Sequence, residues 1–345
     1  MDYPCIKINL SKVKKNIKLI NDRCAQSGIS VVGVTKCVLG DEKIAEAFKS
    51  EGIDIIGDSR LDNLKKLDRK FGPNQKLLLL RTPMISEIEE MTSLCYASMN
   101  TQQKTVSEIS RVCLSRNITH NIMIMVETDD RREGLLPREV LPFAEHVIYN
   151  CPGVNIWGIG TNARCISKRK PTTASVGILL KLKAQIEKDF SIHIPIVSGG
   201  NSSVMGLVES GQMPAGINQV RIGEAILLGH ETSGYRPLDG ACRDAFTLEA
   251  EVIEVKLKNE KGHKIIAGLG IQDVSFKNLQ LLAPGLEFAD QSSDHTVLFV
   301  GRDKTGISAI RDLNFQVGDI ISFQPNYFGI LSCMTSPFVK KLYVE

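Results

Sequence analysis

The 345-residue chain contains no run of about 18 consecutive apolar residues, the length a membrane-spanning helix needs. Its first residues, Met1-Asp2-Tyr3-Pro4, offer no basic stretch followed by an apolar one, so no export leader is expected. Charge of either sign is barely in excess: 42 Lys and Arg stand against 39 Asp and Glu, a net +3. So small and so interspersed a surplus argues against nucleic acid or an anionic membrane as partner and favours a small-molecule substrate. The nine cysteines, an odd number scattered from Cys5 to Cys333, form no CxxC pair and no metal-type Cys/His spacing. They read as buried thiols in a reducing compartment, and a cytoplasmic protein without a bound metal is expected. Internal repeats and low-complexity tracts are also missing.

What is present is enough apolar material, 43% of residues, to bury a large core, on a length that allows one large domain and a smaller one. After a first strand over residues 6–9 and a helix expected to start at a Ser11 cap, eight short apolar blocks recur. They fall at 31–35, 54–57, 76–81, 95–99, 122–127, 155–160, 194–198 and 219–222, with helical spacing between them. Blocks without polar alternation suit parallel strands covered on both faces. The alternation predicts an α/β fold, a (β/α)₈ TIM-type barrel, with an open doubly wound sheet as the weaker alternative.

Past Gly229 the pattern changes. A loop rich in Gly, Ser and Pro is followed by β-type segments at 247–258, 264–268, 296–301 and 320–324, with turn signals at Asn259-Glu260-Lys261-Gly262, Ala283-Pro284-Gly285 and Val317-Gly318-Asp319. Two domains are therefore expected: a barrel over 1–229 and a C-terminal antiparallel β domain over 230–345, which the first strand could join.

In a barrel of this kind the chemistry sits where the strands end. Those ends carry Lys36, Asp58-Ser59-Arg60, Arg81, Asn100, the run from Glu127 to Arg132, Asn162, Asn201 to Ser203, and Arg221. Strand ends are wetter than strand middles in any protein, so the argument rests on the set. Ser198-Gly199-Gly200-Asn201-Ser202-Ser203 follows the seventh barrel strand and opens a helix, a composition that suits an anion, although a plain turn with an Asn or Ser cap would look alike. A lysine across the mouth from a phosphate site meets the needs of pyridoxal 5′-phosphate, and equally those of a phosphosugar enzyme.

Val32-Gly33-Val34-Thr35-Lys36, Gly57-Asp58-Ser59-Arg60, Arg131-Arg132-Glu133-Gly134, the Ser198 to Ser203 loop, Arg221-Ile222-Gly223-Glu224-Ala225, Ser292-Ser293-Asp294-His295 and Met334-Thr335-Ser336-Pro337 keep one order over almost the whole chain. Together they resemble the alanine racemase-like, fold-type III group of pyridoxal-phosphate enzymes, and within it the ornithine racemases. The resemblance implies that Lys36 forms the internal aldimine and that Ser202, Ser203, Gly223, Glu224 and Tyr327 surround the phosphate. It implies further that Arg221 faces the ring nitrogen, that Asn162 lies over the ring, and that Arg132 takes the substrate carboxylate, with Ser293 and Asp273 also at the substrate. A homodimer with shared active sites is implied as well.

The chain departs from alanine racemases at Gly270-Ile271-Gln272-Asp273, where they carry a catalytic Tyr. Racemisation needs an acid/base group on each face of Cα, so His295 with Asp294 is the candidate replacement, against the plainer reading of a capped turn. The function implied is racemisation of ornithine or another basic amino acid, with Asp58, Asp273, Glu133 or Asp294 available for the cationic side chain. Two alternatives stay open. One is the metal-assisted D-amino-acid lyase branch, although Tyr327-Phe328-Gly329 lacks its His-x-Cys or His-x-Asp pair. The other is a non-catalytic pyridoxal-phosphate-binding protein, which would lack a second domain.

Overall fold

The computed structural model describes residues 2–128, 130, 132–258, 262–300 and 315–345. The turn expected at 259–262 lies outside these except for Gly262, as do Arg131 and Gly301. Two compact units emerge, one of residues 14–36 and 40–241, the other of residues 1–13, 37–39 and 242–345.

Strand β1 (Cys5–Asn9) leads directly into helix α1 (Leu10–Gln26). The cap is Asn9 and not Ser11: its side-chain oxygen accepts from Lys12 N at 2.8 Å, satisfying a donor that the first helical turn leaves free.

The larger unit is a closed barrel of eight strands. They are β2 (Ser30–Val34), β3 (Ile55–Asp58), β4 (Lys76–Leu79), β5 (Ala97–Asn100), β6 (His120–Val126), β7 (Val154–Thr161), β8 (Ile196–Ser198) and β9 (Gln219–Ile222). Every pairing is parallel, and β2 closes on β9 with Val32 opposite Arg221. Between the strands run α2 (Glu42–Ser50), α3 (Leu61–Phe71), α4 (Ile88–Leu94), α5 (Gln103–Arg116), α6 (Pro137–Asn150), α7 (Thr173–Phe190) and α8 (Met205–Glu209), with α9 (Glu224–Leu228) after the last.

Alternate residues explain the apolar blocks. Val32, Val34, Leu78, Leu80, Met99, Met123 and Met125 pack in one cluster, while Ile56, Leu77 and Leu79 pack with the helix residues Leu64, Leu67 and Ile109 in another. Both faces of each strand are thus dry. Strand β8 is shorter than its apolar block because Pro195 has no N–H to give to a ladder.

The smaller unit is an eight-stranded sheet. Its members are β1, β10 (Phe246–Lys258), β11 (Gly262–Ala267), β12 (Leu279–Leu281), β13 (Leu286–Gln291), β14 (Thr296–Val300), β15 (Ile320–Pro325) and, after helix α10 (Tyr327–Thr335), β16 (Lys340–Val344). The main path β12-β15-β10-β11-β14-β13 is antiparallel. The first strand joins it beside β10, with Cys5 opposite Glu249, and β16 adds a parallel pairing to β1. Among the described residues no helix is long and apolar enough to cross a membrane.

Candidate active site

Two strand ends are tied together beneath Lys36. Thr35, directly after β2, donates its hydroxyl to Asp58 Oδ2 at 2.7 Å, and Asp58 Oδ1 accepts from Arg60 N at 2.9 Å and Asn63 Nδ2 at 3.0 Å. Asp58 is fully buried, and burial raises its pKa while these hydrogen bonds oppose the rise. Of the acids considered for a cationic substrate side chain, Asp58 thus spends both oxygens on the strand ends. Lys36 opens a 3-10 turn over Lys36–Val38. Burial pushes its pKa down, Arg132 and Arg221 add to the fall, and Asp58 is among the groups that resist it. More of this amine is neutral, and so nucleophilic, than in an ordinary lysine.

Arg221 projects from β9 into the mouth and is 3% exposed. Its guanidinium donates to Ser198 Oγ, to Thr161 O and to Asn162 Oδ1, the last at 2.9 Å. None of these three bonds uses the Nε–H. Burial pushes the pKa down to about 10, which still leaves the group charged near neutrality. Asn162 reaches the other way through Nδ2 to Glu133 Oε1 at 3.4 Å, and that same oxygen takes Arg132 Nη2 at 2.7 Å. Lys36, Arg132, Asn162 and Arg221 therefore belong to one charged cluster.

The loop after β8 is built for close approach. Gly200 has φ +141°, and a Cβ there would lie 2.8 Å from Val204 Cγ1. Asn201 caps the 3-10 turn Ser202–Val204 by accepting from Ser203 N at 3.0 Å, while its Nδ2 and Ser203 Oγ both donate to Ala163 O. Ser202 Oγ accepts from Ala225 N at 3.1 Å, which binds this loop to the start of α9. At Gly223 a Cβ would stand 3.0 Å from Val34 Cβ and 3.1 Å from its carbonyl oxygen, so β2 and the α9 turn meet there without a side chain between them. Glu224 follows, its carboxylate 3.2 Å from His230 Nε2. Ser202, Ser203, Gly223 and Glu224 come together as a glycine-lined cradle in which Ser202 Oγ accepts from Ala225 N and so keeps its own proton to donate, while the Ser203 hydroxyl is turned to Ala163 O. A phosphate fits such a donor set, and a ring nitrogen fits the Arg221 Nε–H left over.

The smaller unit gathers Asp273, Ser293, Asp294 and His295. Ile271 N donates to Ser292 O at 2.9 Å and Gln272 N to Ser293 O at 3.0 Å, so the 270–273 turn backs the 292–295 turn. A Cβ on Gly270 would be 2.1 Å from Ser293 O, which leaves room for glycine alone. Asp273 accepts from Gly270 N at 2.9 Å, and burial raises its pKa. Asp294 Oδ1 lies 2.9 Å from His295 Nδ1 and accepts from Ser292 Oγ at 2.9 Å; chiefly through that hydrogen bond its pKa is held low. Tyr327 opens α10, and its carbonyl accepts from Cys37 Sγ at 3.2 Å. At Gly329 a Cβ would be 2.6 Å from Asn278 O, which accounts for the glycine of Tyr327-Phe328-Gly329. Among the described residues no three His, Cys, Asp or Glu side chains are grouped to hold a metal ion.

Of Thr35, Thr161 and Ser198, which orient the charged residues, Thr161 stood out by no sequence signal, while Thr35 and Ser198 lay in quoted motifs without being singled out. Asp130 lay inside the flagged run from Glu127 to Arg132, but nothing there separates it from its neighbours.

A barrel followed by an antiparallel sheet defines a class of folds that spans several solved structures. Alanine racemase from Corynebacterium glutamicum superposes with a TM-score of 0.78 at 16% identity, covering 100% of both chains. D-threonine aldolase from Filomicrobium marinum gives 0.77 at 12%, covering 97% of this chain and 90% of that one. Sequence is more specific. The profile of the alanine racemase N-terminal domain matches residues 8–231. Lysine racemase of Thermotoga maritima is 37% identical over 99% of each chain, and ornithine racemase of Acetoanaerobium sticklandii is 31% identical over 98% of this chain and 99% of its own. The chain belongs to the alanine racemase family of isomerases.

Proposed function

We propose that the protein interconverts the L and D forms of ornithine or another basic amino acid, with pyridoxal 5′-phosphate as cofactor. What carries the reading is the likeness, over 99% and 98% of the chain, to racemases named for lysine and ornithine. The cofactor, when bound, supplies an aldehyde for amines and an electron-withdrawing ring that acidifies the substrate Cα–H. Lys36 holds it through its burial-weakened amine and then moves a proton on one face of Cα. Ser202, Ser203, Gly223 and Glu224, with Tyr327 from the β unit, bind the phosphate. Asn162 lines the ring. Arg221 would face the ring nitrogen as a donor, and because an arginine cannot accept a proton, that nitrogen would stay unprotonated. This weakens the electron sink and favours reversible proton exchange over transamination.

Arg132 orients the substrate carboxylate by its planar fork, with Ser293 and Asp273 as further substrate contacts. His295, oriented by Asp294, serves as acid/base for the opposite face of Cα. We infer a cytoplasmic homodimer whose active sites draw on both subunits and need no metal. Each enantiomer of ornithine, lysine and alanine should be added separately to the pure holoprotein and optical rotation followed. Decay toward zero from both enantiomers of a basic amino acid is expected, with and without a chelator. A steady signal for all of them, or activity lost on chelation and restored by zinc, would overturn the reading.

A further inference from the structure

Between the cradle and Arg132 lies a carboxylate that the reaction above does not use. Asp130 is 1% exposed. Its Oδ1 accepts two consecutive backbone N–H groups, Cys165 N at 2.6 Å and Ile166 N at 3.1 Å. Its Oδ2 makes no hydrogen bond and lies 3.7 Å from Arg132 Nε. A buried carboxylate is tolerated only when its charge is answered, and here the answer is divided between a backbone nest and a guanidinium.

The nest is itself unusual. It follows Arg164, a non-glycine residue with φ +62°, a conformation that needs outside support. Support comes from both sides. Ala163 O takes the side chains of Asn201 and the cradle residue Ser203, and Asp130 takes the Cys165 and Ile166 N–H groups. One short segment, 163–166, is therefore pinned at one end by Ser203, which is assigned to the phosphate, with its neighbour Asn201, and at the other by the carboxylate beside Arg132.

We propose that Asp130 is a positioning residue that aims Arg132 at the substrate carboxylate and, through segment 163–166, couples that arginine to the phosphate cradle. Arg132 is then flanked by Glu133 on Nη2 and Asp130 on Nε, and its remaining edge is left for the substrate. The proposal rests on the racemase reading for what Arg132 binds, but not for the coupling.

Two variants separate the two tasks of the carboxylate. Asp130→Asn keeps an oxygen for the Cys165 and Ile166 N–H groups but sets an amide N–H against Arg132 Nε–H. It should raise KM for the amino acid about tenfold or more with kcat within a few-fold, and leave cofactor affinity and tryptic resistance unchanged. Asp130→Ala removes both supports. It should raise KM similarly, weaken pyridoxal-phosphate binding to the apoprotein by several-fold, and speed tryptic cleavage after Arg164 or Lys168. If Asp130→Ala leaves cleavage and cofactor affinity as in the wild type, the coupling does not exist. If Asp130→Asn instead shifts preference from basic to neutral amino acids, Asp130 binds the substrate side chain and the positioning role is wrong. Were no amino acid racemised by the wild type while Asp130→Ala still loosened the segment, the racemase reading would fall and the coupling stand.

Discussion

Arg221 and Asp294 are both held by several partners, yet in opposite surroundings. Arg221 is 3% exposed and donates to Ser198, Thr161 and Asn162, all at strand ends of one barrel. Asp294 has 72% of its side chain in water, and its hydrogen bonds run to its own turn neighbours Ser292, Ser293 and His295. In the barrel, cutting one member strands a buried polar group, at a cost of about 1–3 kcal/mol. An exposed pair such as Asp294 with His295 contributes little, because water screens it. The candidate residues of the barrel are thus organised by their side chains. Those of the β unit are organised by its backbone, through Gly270 and the hydrogen bonds between two turns.

The largest effect should come from the barrel. Lys36→Ala is expected to cut racemisation by roughly 10⁴-fold or more, since in the proposed reaction Lys36 is both the covalent anchor and one acid/base. Borohydride treatment of the wild-type holoprotein followed by peptide mapping should place the pyridoxyl label on Lys36. A label on another lysine would break the assignment.

The β unit comes next. His295→Ala should slow both directions by about 100-fold or more, with cofactor absorbance intact. Solvent deuterium should still enter Cα from the Lys36 side, so exchange should persist for one enantiomer only. Near-normal turnover in both His295→Ala and Asp294→Asn would move the second proton to another group.

Two glycines sharpen the comparison because a Cβ at Gly223 would crowd Val34 and one at Gly270 would not fit at all. Gly223→Ala would press a methyl onto Val34 and should weaken cofactor binding several-fold with modest change in kcat. Gly270→Ala would force the 292–295 turn away from its 2.1 Å approach and should lower kcat about tenfold with cofactor binding intact. Equal effects on both quantities in both variants would erase the distinction between the two units.

How far each region was legible follows from the same physics. Barrel strands with two dry faces announce themselves as apolar blocks, and all eight were readable, down to the lysine at the rim. Strands β13 and β16 were not, because Leu286–Gln291 and Lys340–Val344 carry exposed residues among the apolar ones. Pairing of Cys5 with Lys340 spans almost the entire chain and has no local signature. Asp130 stayed hidden for a related reason: its partners are backbone N–H groups, which every residue but proline has.

The smallest effect concerns stability and bears on the barrel alone. His120, at the start of β6, is the buried histidine among the described residues, with its Nε2 2.9 Å from Ser98 Oγ. Burial pushes its pKa down from 6.5 to about 4. Between those values the unfolded chain binds the proton and the folded one does not, so the stability this group confers is complete above pH 6.5 and drains away as pH falls toward 4. At about 1.4 kcal/mol per pKa unit the loss amounts to roughly 3 kcal/mol. His120→Gln keeps a polar partner for Ser98 without a titrating group. Its unfolding midpoint in urea should therefore change less between pH 7 and pH 4 than that of the wild type, in a transition that reports Trp157 in the barrel. Parallel pH profiles for the two proteins would show that acid acts through groups other than His120, and that the barrel's dry strand faces do not set its acid sensitivity.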